Sequence, residues 1–589
     1  MIVRKGNVMR MRGVFIKLKL LCWYLKNRLL YKIYLRKEER YTNNKIKLHL
    51  QQLRYRPKIS IIMPTWNTDE RWLRRAIESV LNQVYDNWEL CIADGGSTKP
   101  HVRKILEEYA QKDKRIKVKF LPENLGIAGN SNEALKLATG EFVAFLDHDD
   151  ELAPFALYEV VKLLNEKPDL DFIYSDEDKI DEKGRRKDPF FKPDYNPDMF
   201  LACNYICHLS VIRRSLVDKV GGFRLGYDGS QDYDLFLRVL EQTDKIAHIP
   251  KILYHWRTVE TSCASKPEAK TYAYEAAKKA LADAMRRREI EIEGVYDGLW
   301  LGSYRIKYKI KGNPKVSIII PTKDKVNVLK KRCIDSILNK TTYQNYEIVI
   351  VDNDSQEERT FEYYETIRDH PKIRILKYEG EPFNFSAINN YAVSRVNSEF
   401  VLFLNRNTEV ITSEWLSAML EHVQRKEVGA VGAKLLYSDN TIRHAGIILG
   451  VGPYRIAGHS HEHMPNSFPG YFGGPHVIQN VSAISMDCML TKKSLFEAVG
   501  GFDEVNLPTT FGDVDYCLKL RERGYLIVYT PYAVLYYYGP KDYKCTSENR
   551  ETFLKEVEFL RKKWKDFLNN DPYYNPNLTR DKADFSIRA

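Results

Sequence analysis

The sequence predicts two α/β domains in tandem, each a doubly wound, mostly parallel sheet, behind a basic helical segment. Three observations predict it. From Lys58 onward short apolar runs alternate with helical patterns, the βαβ order that builds a parallel sheet. Polar groups fall just after those runs, at the carboxyl ends of strands, where open parallel sheets bind ligands. The spacing then repeats: residues 314–322 restate 57–65 at an offset of 257, while Asp352 restates Asp94 and Asn405 restates Asp147, both at 258. Equal spacing across separate motifs means a duplicated domain. The boundaries read as a basic segment 1–55, a first domain 56–300, a linker 301–313, a second domain 314–545 and a closing helix and tail 546–589.

Taken in order, Ile59 to Met63 reads as a strand, and Leu73, Ile77, Val80 and Leu81 place a helix from Glu70. Trp88 to Ala93 is the second strand and Ile116 to Leu121 the third; a helix from Ser131 to Thr139 leads into a fourth run ending in Phe145-Leu146-Asp147-His148-Asp149-Asp150. Pro64-Thr65-Trp66-Asn67, Asp94 and Asp147 to Asp149 therefore converge on one pocket. Clustered carboxylates there suit a divalent cation held between protein and phosphate oxygens. Asp232 precedes the apolar helical pattern Leu235, Phe236, Val239, Leu240, where an aspartate serves as a helix cap as readily as a catalytic base.

The chain resembles glycosyltransferase family 2, the GT-A fold, as found in bacterial cell-surface polysaccharide, O-antigen and rhamnan synthesis. The motifs that carry the resemblance are SIIMPTWN (60–67), LCIADGGS (90–97), ENLGIAGNSNEAL (123–135), FLDHDDEL (145–152), GGF (221–223), QDYDLFLR (231–238) and LYHWR (253–257). Carried over residue by residue, the resemblance implies a nucleotide-diphospho-sugar site containing Pro64, Thr65, Asn67, Gly126 and Asn132. Asp94 would recognise the base and Asp147 touch the ribose. Asp149 and His255 would hold Mg or Mn on the diphosphate, and Asp232 would be the base of an inverting transfer.

The second copy keeps part of this set. Pro321, Thr322 and Asp352 stand where the nucleotide would lie, and Asp513 stands where the base would be. Asp149 becomes Asn407, a poorer ligand for a hard dication, and the counterpart of His255 falls at Tyr536 or Tyr537. The expectation is an idle or weakened second domain; the rival is metal-independent transfer with Arg406 supplying positive charge. An insertion of about twenty residues lies between Arg406 and Val499 and contains His459-Ser460-His461-Glu462-His463, read as a solvated loop in preference to a metal site. Ser547 to Leu568 reads as a helix, followed by an irregular tail.

The net charge of +12 is localised. Residues 1–58 hold 17 Lys or Arg against two acids, a net +15, which leaves the rest slightly acidic at −3. A nucleic-acid groove would need its basic patch on the folded body, so no nucleic-acid partner is expected. Residues 10–37 lack the uncharged run of a spanning helix. Drawn as a helix they align Ile16, Leu20, Trp23, Leu30 and Tyr34 on one face, broken only by Asn27. An anionic membrane surface, the protein's own body or a partner would each accept such a stripe. Nine scattered cysteines suggest reduced thiols. The resulting expectation is a cytoplasmic protein, peripheral on the inner membrane face, acting on a glycan or lipid-linked glycan acceptor. A two-site transferase and a non-catalytic binding subunit are the alternatives. A glycoside hydrolase would need no nucleotide pocket, and a nucleotidyltransferase would want a glycine-rich loop where Pro64-Thr65-Trp66-Asn67 stands.

Overall fold

A computed structural model describes residues 2–38, 43–258, 271–380, 383–540 and 550–588, with side chains from residue 20 onward except 43–45. Two helices come first, α1 (Ile2–Glu38) and α2 (Asn43–Gln52). The first domain follows with strands β1 (Ile59–Thr65), β2 (Trp88–Asp94), β3 (Ile116–Phe120), β4 (Phe142–Phe145), β5 (Glu151–Leu152), β6 (Phe172–Ile180), β7 (Arg186–Phe190), β8 (Ser210–Arg213) and β9 (Ile246–Arg257). Its helices are α3 (Glu70–Leu81), α4 (Pro100–Lys112), α5 (Gly126–Leu135), α6 (Ala156–Glu166), α7 (Pro197–Ala202), α8 (Arg214–Lys219), α9 (Gln231–Leu240) and α10 (Thr271–Arg287).

The strands lie in the order β3-β2-β1-β4-β8-β6-β9-β5, with β7 on β6. The pairs among β3, β2, β1 and β4 are parallel, as are β6 and β9. β1 is buried along almost its whole length, and α3 covers it with Leu73, Ala76, Ile77 and Val80. Each such large aliphatic contributes about 1.5–3 kcal/mol on burial. Asp69 caps α3 by accepting the Arg71 amide at 3.0 Å. α5 starts and ends earlier than its periodicity predicts, because Gly126 at φ +75° turns the chain into it and the Asn130 side chain accepts the Leu125 amide.

A hairpin of β10 (Ile292–Asp297) and β11 (Tyr304–Tyr308) joins the halves, so the predicted boundary at 300/301 falls inside it. Tyr304, Ile306 and Tyr308 of this predicted linker are buried in a core shared by both domains. The second domain holds β12 (Val316–Thr322), β13 (Tyr346–Asn353), β14 (Ile373–Tyr378), β15 (Phe400–Leu404), β16 (Thr408–Val410) and β17 (Val428–Tyr437). Four short strands follow, β18 (Ile442–His444), β19 (Ile447–Leu449), β20 (Ala457–His459) and β21 (Gln479–Asn480), then β22 (Cys488–Lys492) and β23 (Leu526–Tyr537). Its sheet runs β14-β13-β12-β15-β22-β17-β23-β16, strand for strand the order of the first. The insertion lies between β17 and β22.

The halves interlock. Asn196 and Asn480 exchange hydrogen bonds at 2.8 Å, Arg425 pairs with buried Asp198 at 2.5 Å, and Phe190 stacks on Phe472. Helices Arg550–Lys563 and Lys565–Asn569 replace the one continuous closing helix predicted. The tail beyond them is irregular as expected but returns to the first domain, where Asn575 donates to Asp176 at 3.1 Å.

Two expectations change here. The helix α1 stripe is packed on the protein itself between residues 20 and 38: Leu20 and Trp23 meet the second domain's core, and Leu30 and Tyr34 meet a cluster with Phe191 and Ile252. Asn27, the polar break, accepts the Ile587 amide at 2.8 Å. Ile16 lies outside the described side chains. The insertion is not a solvated loop: Ser460 and His461 are buried, His459 meets His444 at 2.9 Å, and His461 stacks on Phe585. Burial drives the His461 pKa down to about 3. Its histidines point to separate partners, and among the described residues no three His, Cys, Asp or Glu side chains are grouped to hold a metal ion. Among the described residues no helix is long and apolar enough to cross a membrane.

Candidate active site

Thr65 and Asp94 end adjacent parallel strands in register, so their side chains stand beside each other at the sheet's carboxyl edge. Asp94 is buried and accepts the Ser97 hydroxyl and amide. Asn67, at φ +49°, holds the following turn by accepting the Thr98 and Lys99 amides at 2.9 and 3.1 Å. The Thr65 hydroxyl is buried with no hydrogen-bond partner among the described residues, a polar atom that a bound molecule would satisfy. Pro64 is half-buried beside it. Gly126 lies near Asp228, where a Cβ would come within 3.2 Å of Asp228 Oδ1. Asn132 is engaged elsewhere: its amide donates to the Phe223 carbonyl at 2.8 Å and accepts the Phe223 amide at 2.9 Å, so it ties α5 to the Gly221-Gly222 turn.

The acidic loop after β4 is fastened to β9. Asp150 accepts the Tyr254 hydroxyl at 2.6 Å and the Arg257 amide at 2.7 Å, and Arg257 donates to the Asp149 carbonyl at 2.7 Å. Two of the three carboxylates remain for a ligand. Asp147 is half-exposed; Asp149 is mostly buried, and that burial raises its pKa. β5 pairs Glu151 with His255, which brings the loop and the histidine together. His255 Nδ1 meets Asp178 Oδ1 at 2.6 Å, leaving Nε2 free to ligate, the usual arrangement in which a carboxylate orients a metal-binding imidazole. Asp178 stays below the usual carboxylate range: burial would raise it, but His255, Arg186 and Tyr31 together outweigh that. Among the described residues no three His, Cys, Asp or Glu side chains form a metal centre by themselves. An aspartate and an imidazole, one hard and one borderline donor, fit Mg or Mn whose remaining ligands come from a diphosphate.

Asp232 lies in the first turn of α9 and accepts Asn204 Nδ2 at 2.8 Å. Its cap role is not realised by side-chain bonding, since the cap position is Ser230. Burial raises its pKa, so it takes a proton more readily than a surface aspartate.

Sequence reasoning missed the acidic strand β6. Asp176, Glu177 and Asp178 are consecutive and all buried. Glu177 pairs with fully buried Lys192 at 3.1 Å and with His208 at 3.4 Å. His208 stacks on Tyr254 and stands 3.8 Å from Asp147. Burial alone would lower its pKa, but Glu177, Asp147 and Asp150 push it up to about 9, so a half-buried cation sits beside the half-exposed Asp147. The available signal was the run Asp-Glu-Asp inside an otherwise apolar strand.

The second site is the same scaffold with the counterparts of Asp149 and His255 replaced. Asp352 is capped on both oxygens, by the Ser355 amide and the Tyr364 hydroxyl. Arg406 donates to Thr322 Oγ1 at 3.2 Å and to the Lys323 carbonyl at 2.6 Å, closing the position that is open at Thr65. A cavity of about 180 Å³ remains beside Pro321. β16 pairs Glu409 with Tyr536 as β5 pairs Glu151 with His255, which identifies Tyr536 as the histidine's counterpart. Tyr536 in turn pairs with Leu436, where His255 pairs with Asp178. Asn407 bonds Asn405, and Asp513 is held by the Met486 and Val514 amides, its pKa raised by burial to about 6.

The description Glycosyl transferase family 2 matches residues 60–221 and 317–499, one stretch in each copy and more than half of the chain. The chain belongs to glycosyltransferase family 2. Family relatives span nearly all of it: an uncharacterized protein y4gI of Sinorhizobium fredii is 43% identical over 92% of this chain and 60% of its own length. The O-antigen biosynthesis protein RfbC of Myxococcus xanthus is 36% identical over 91% of this chain and 41% of its own. The chain thus spans less than two thirds of the length of these two relatives. A crystal structure of S. aureus TarS 1–349 with UDP-GlcNAc aligns over 39% of this chain and 66% of that one at 23% identity, with a TM-score of 0.32.

Proposed function

We propose that the first domain transfers a sugar from a nucleotide-diphospho-sugar to a hydroxyl of a growing glycan, with inversion, and that the second domain does not turn over. One observation carries this: Asp149, His255 and the supporting Asp178 are present together in the first copy and replaced together, by Asn407, Tyr536 and Leu436, in the second. Asp149 and His255 would hold Mg or Mn, which when bound stabilises the negative charge that develops on the leaving diphosphate. The protein's own part begins with Asp94 and Thr65, which offer a carboxylate and an open hydroxyl to the base. Asp232, with Asn204 fixing its carboxylate, accepts the proton of the acceptor hydroxyl. That oxygen forms the new bond to the anomeric carbon as the bond to the diphosphate oxygen breaks on the opposite face, which inverts the centre.

A lipid-linked glycan at the cytoplasmic face of the membrane is our reading of the acceptor, in keeping with the O-antigen role named for RfbC. An anionic surface would meet α1 not through its packed stripe but through the opposite side, where Leu21, Tyr24, Leu25 and Leu29 are exposed beside Lys26. Flotation with anionic and neutral vesicles tests this; equal behaviour with both would end it. The transfer itself is tested by nucleotide release from UDP- and dTDP-sugars by the full chain with Mn. Release that survives Asp149→Asn and Asp232→Asn unchanged would overturn the assignment.

A further inference from the structure

Asp178 has three partners, and one comes from outside the domain. His255 Nδ1 meets it at 2.6 Å and Arg186 Nε at 2.5 Å; the third is the hydroxyl of Tyr31, on α1. Asp178 has no exposed side-chain surface and Tyr31 is only 4% exposed, so water does not compete for these bonds. Arg186 also pairs with Glu38, two turns further along α1, so the helix grips the acid both directly and through the guanidinium. The helix is itself fixed: Tyr34 packs edge-on against Phe191, Trp23 Nε1 donates to the Asp584 carbonyl at 3.1 Å, and Asn27 accepts the Ile587 amide.

We propose that Tyr31 is a positioning residue for the metal ligand His255, and that α1 is thereby part of the donor site. The inference rests on His255 being a ligand. A carboxylate has four lone-pair directions. Tyr31 and Arg186 occupy those on the Oδ2 side, which fixes Oδ1 toward the imidazole and the proton on Nδ1, and leaves Nε2 as the nitrogen that can ligate. Without the hydroxyl only Arg186 holds Oδ2, so the carboxylate is less tightly fixed, and the imidazole with it. The second copy has neither end of this relay, since Leu436 replaces the acid and Tyr536 the imidazole.

Mn binding to the full chain in the presence of UDP, read from the EPR signal of free Mn, tests the relay without turnover. Replacing a group that orients a metal-binding histidine weakens the metal by ~10- to 100-fold, which is expected for Asp178→Asn. Tyr31→Phe, one bond further out, is expected to weaken it by about five-fold while leaving kcat at saturating Mn within two-fold. Tyr34→Phe, on the same docked helix but not bonded to Asp178, is expected to leave Mn affinity unchanged. If Tyr31→Phe leaves Mn affinity at the wild-type value, or Tyr34→Phe lowers it equally, the relay is wrong and the helix acts only by general packing. If His255→Ala itself has no effect on Mn, it is the ligand assignment that has failed, and the two failures are told apart.

Discussion

The two domains share a strand order and differ in what stands at its carboxyl edge. In the first, Thr65 has a buried hydroxyl with no partner among the described residues, and half-exposed Asp147 stands 3.8 Å from the His208 cation. In the second, Arg406 donates to Thr322 and Tyr364 to Asp352, beside a cavity of about 180 Å³. Buried polar groups demand partners, so a site that no longer takes a ligand becomes stable by supplying them internally. The contrast teaches that two copies of one scaffold can differ in the hydrogen bonds each supplies to its own edge as much as in the side chains each offers there.

The largest expected difference is in the bases. Asp232→Asn should lower kcat by ~10²- to 10⁴-fold, the usual contribution of a general base, while Asp513→Asn should leave transfer within two-fold. Comparable losses from both would mean two working sites. Next in size, His255→Tyr, which writes the second copy's residue into the first, should raise the Mn requirement of transfer by roughly 10²-fold, whereas Asn407→Asp should not lower it. A gain from Asn407→Asp would show the second pocket open to donor after all.

Smaller effects come from the titrations. Burial raises the pKa of Asp232, so the acid limb of kcat/KM should fall at a pH above the ordinary aspartate value of about 4. An inflection at or below that value would argue for a different base. His208 carries the opposite lever. Its folded pKa of about 9 exceeds the unfolded value, so its stabilisation is fully present below about pH 6.5 and is lost as pH rises through 9. Denaturant unfolding should show a loss on the order of 2–3 kcal/mol between pH 6 and pH 10, flattened in His208→Gln. A curve equally steep in the variant would remove His208 from the account.

The parallel strands and the acids that end them were readable because both signals are local: an apolar run, then a carboxylate. The duplication was readable from spacing, and so was the loss at Asn407. Tyr536 stayed one residue ambiguous until strand pairing decided it. What could not be read was β6. Its buried acids are satisfied by Tyr31, Lys192, His208 and Asn575, groups from 15 to 399 residues away, and no local pattern reports such partners. For the same reason the stripe on α1 announced an interface but not which surface it meets, and five residues rich in histidine looked solvated when Phe585 and His444 in fact enclose them.

The clasp formed by α1 and residues 571–588 has a consequence for synthesis. Asp176 in β6 receives Asn575, and Trp23 and Asn27 are latched to Asp584 and Ile587. A ribosome making the chain at roughly 5–20 residues per second exposes the first domain long before those latches exist. For ~15–60 s, until nearly 300 further residues have been added, the nascent first domain carries its buried acids without their last partner. A chain broken off in the second domain would therefore leave Asp176 without Asn575 and α1 without its latches at Asp584 and Ile587.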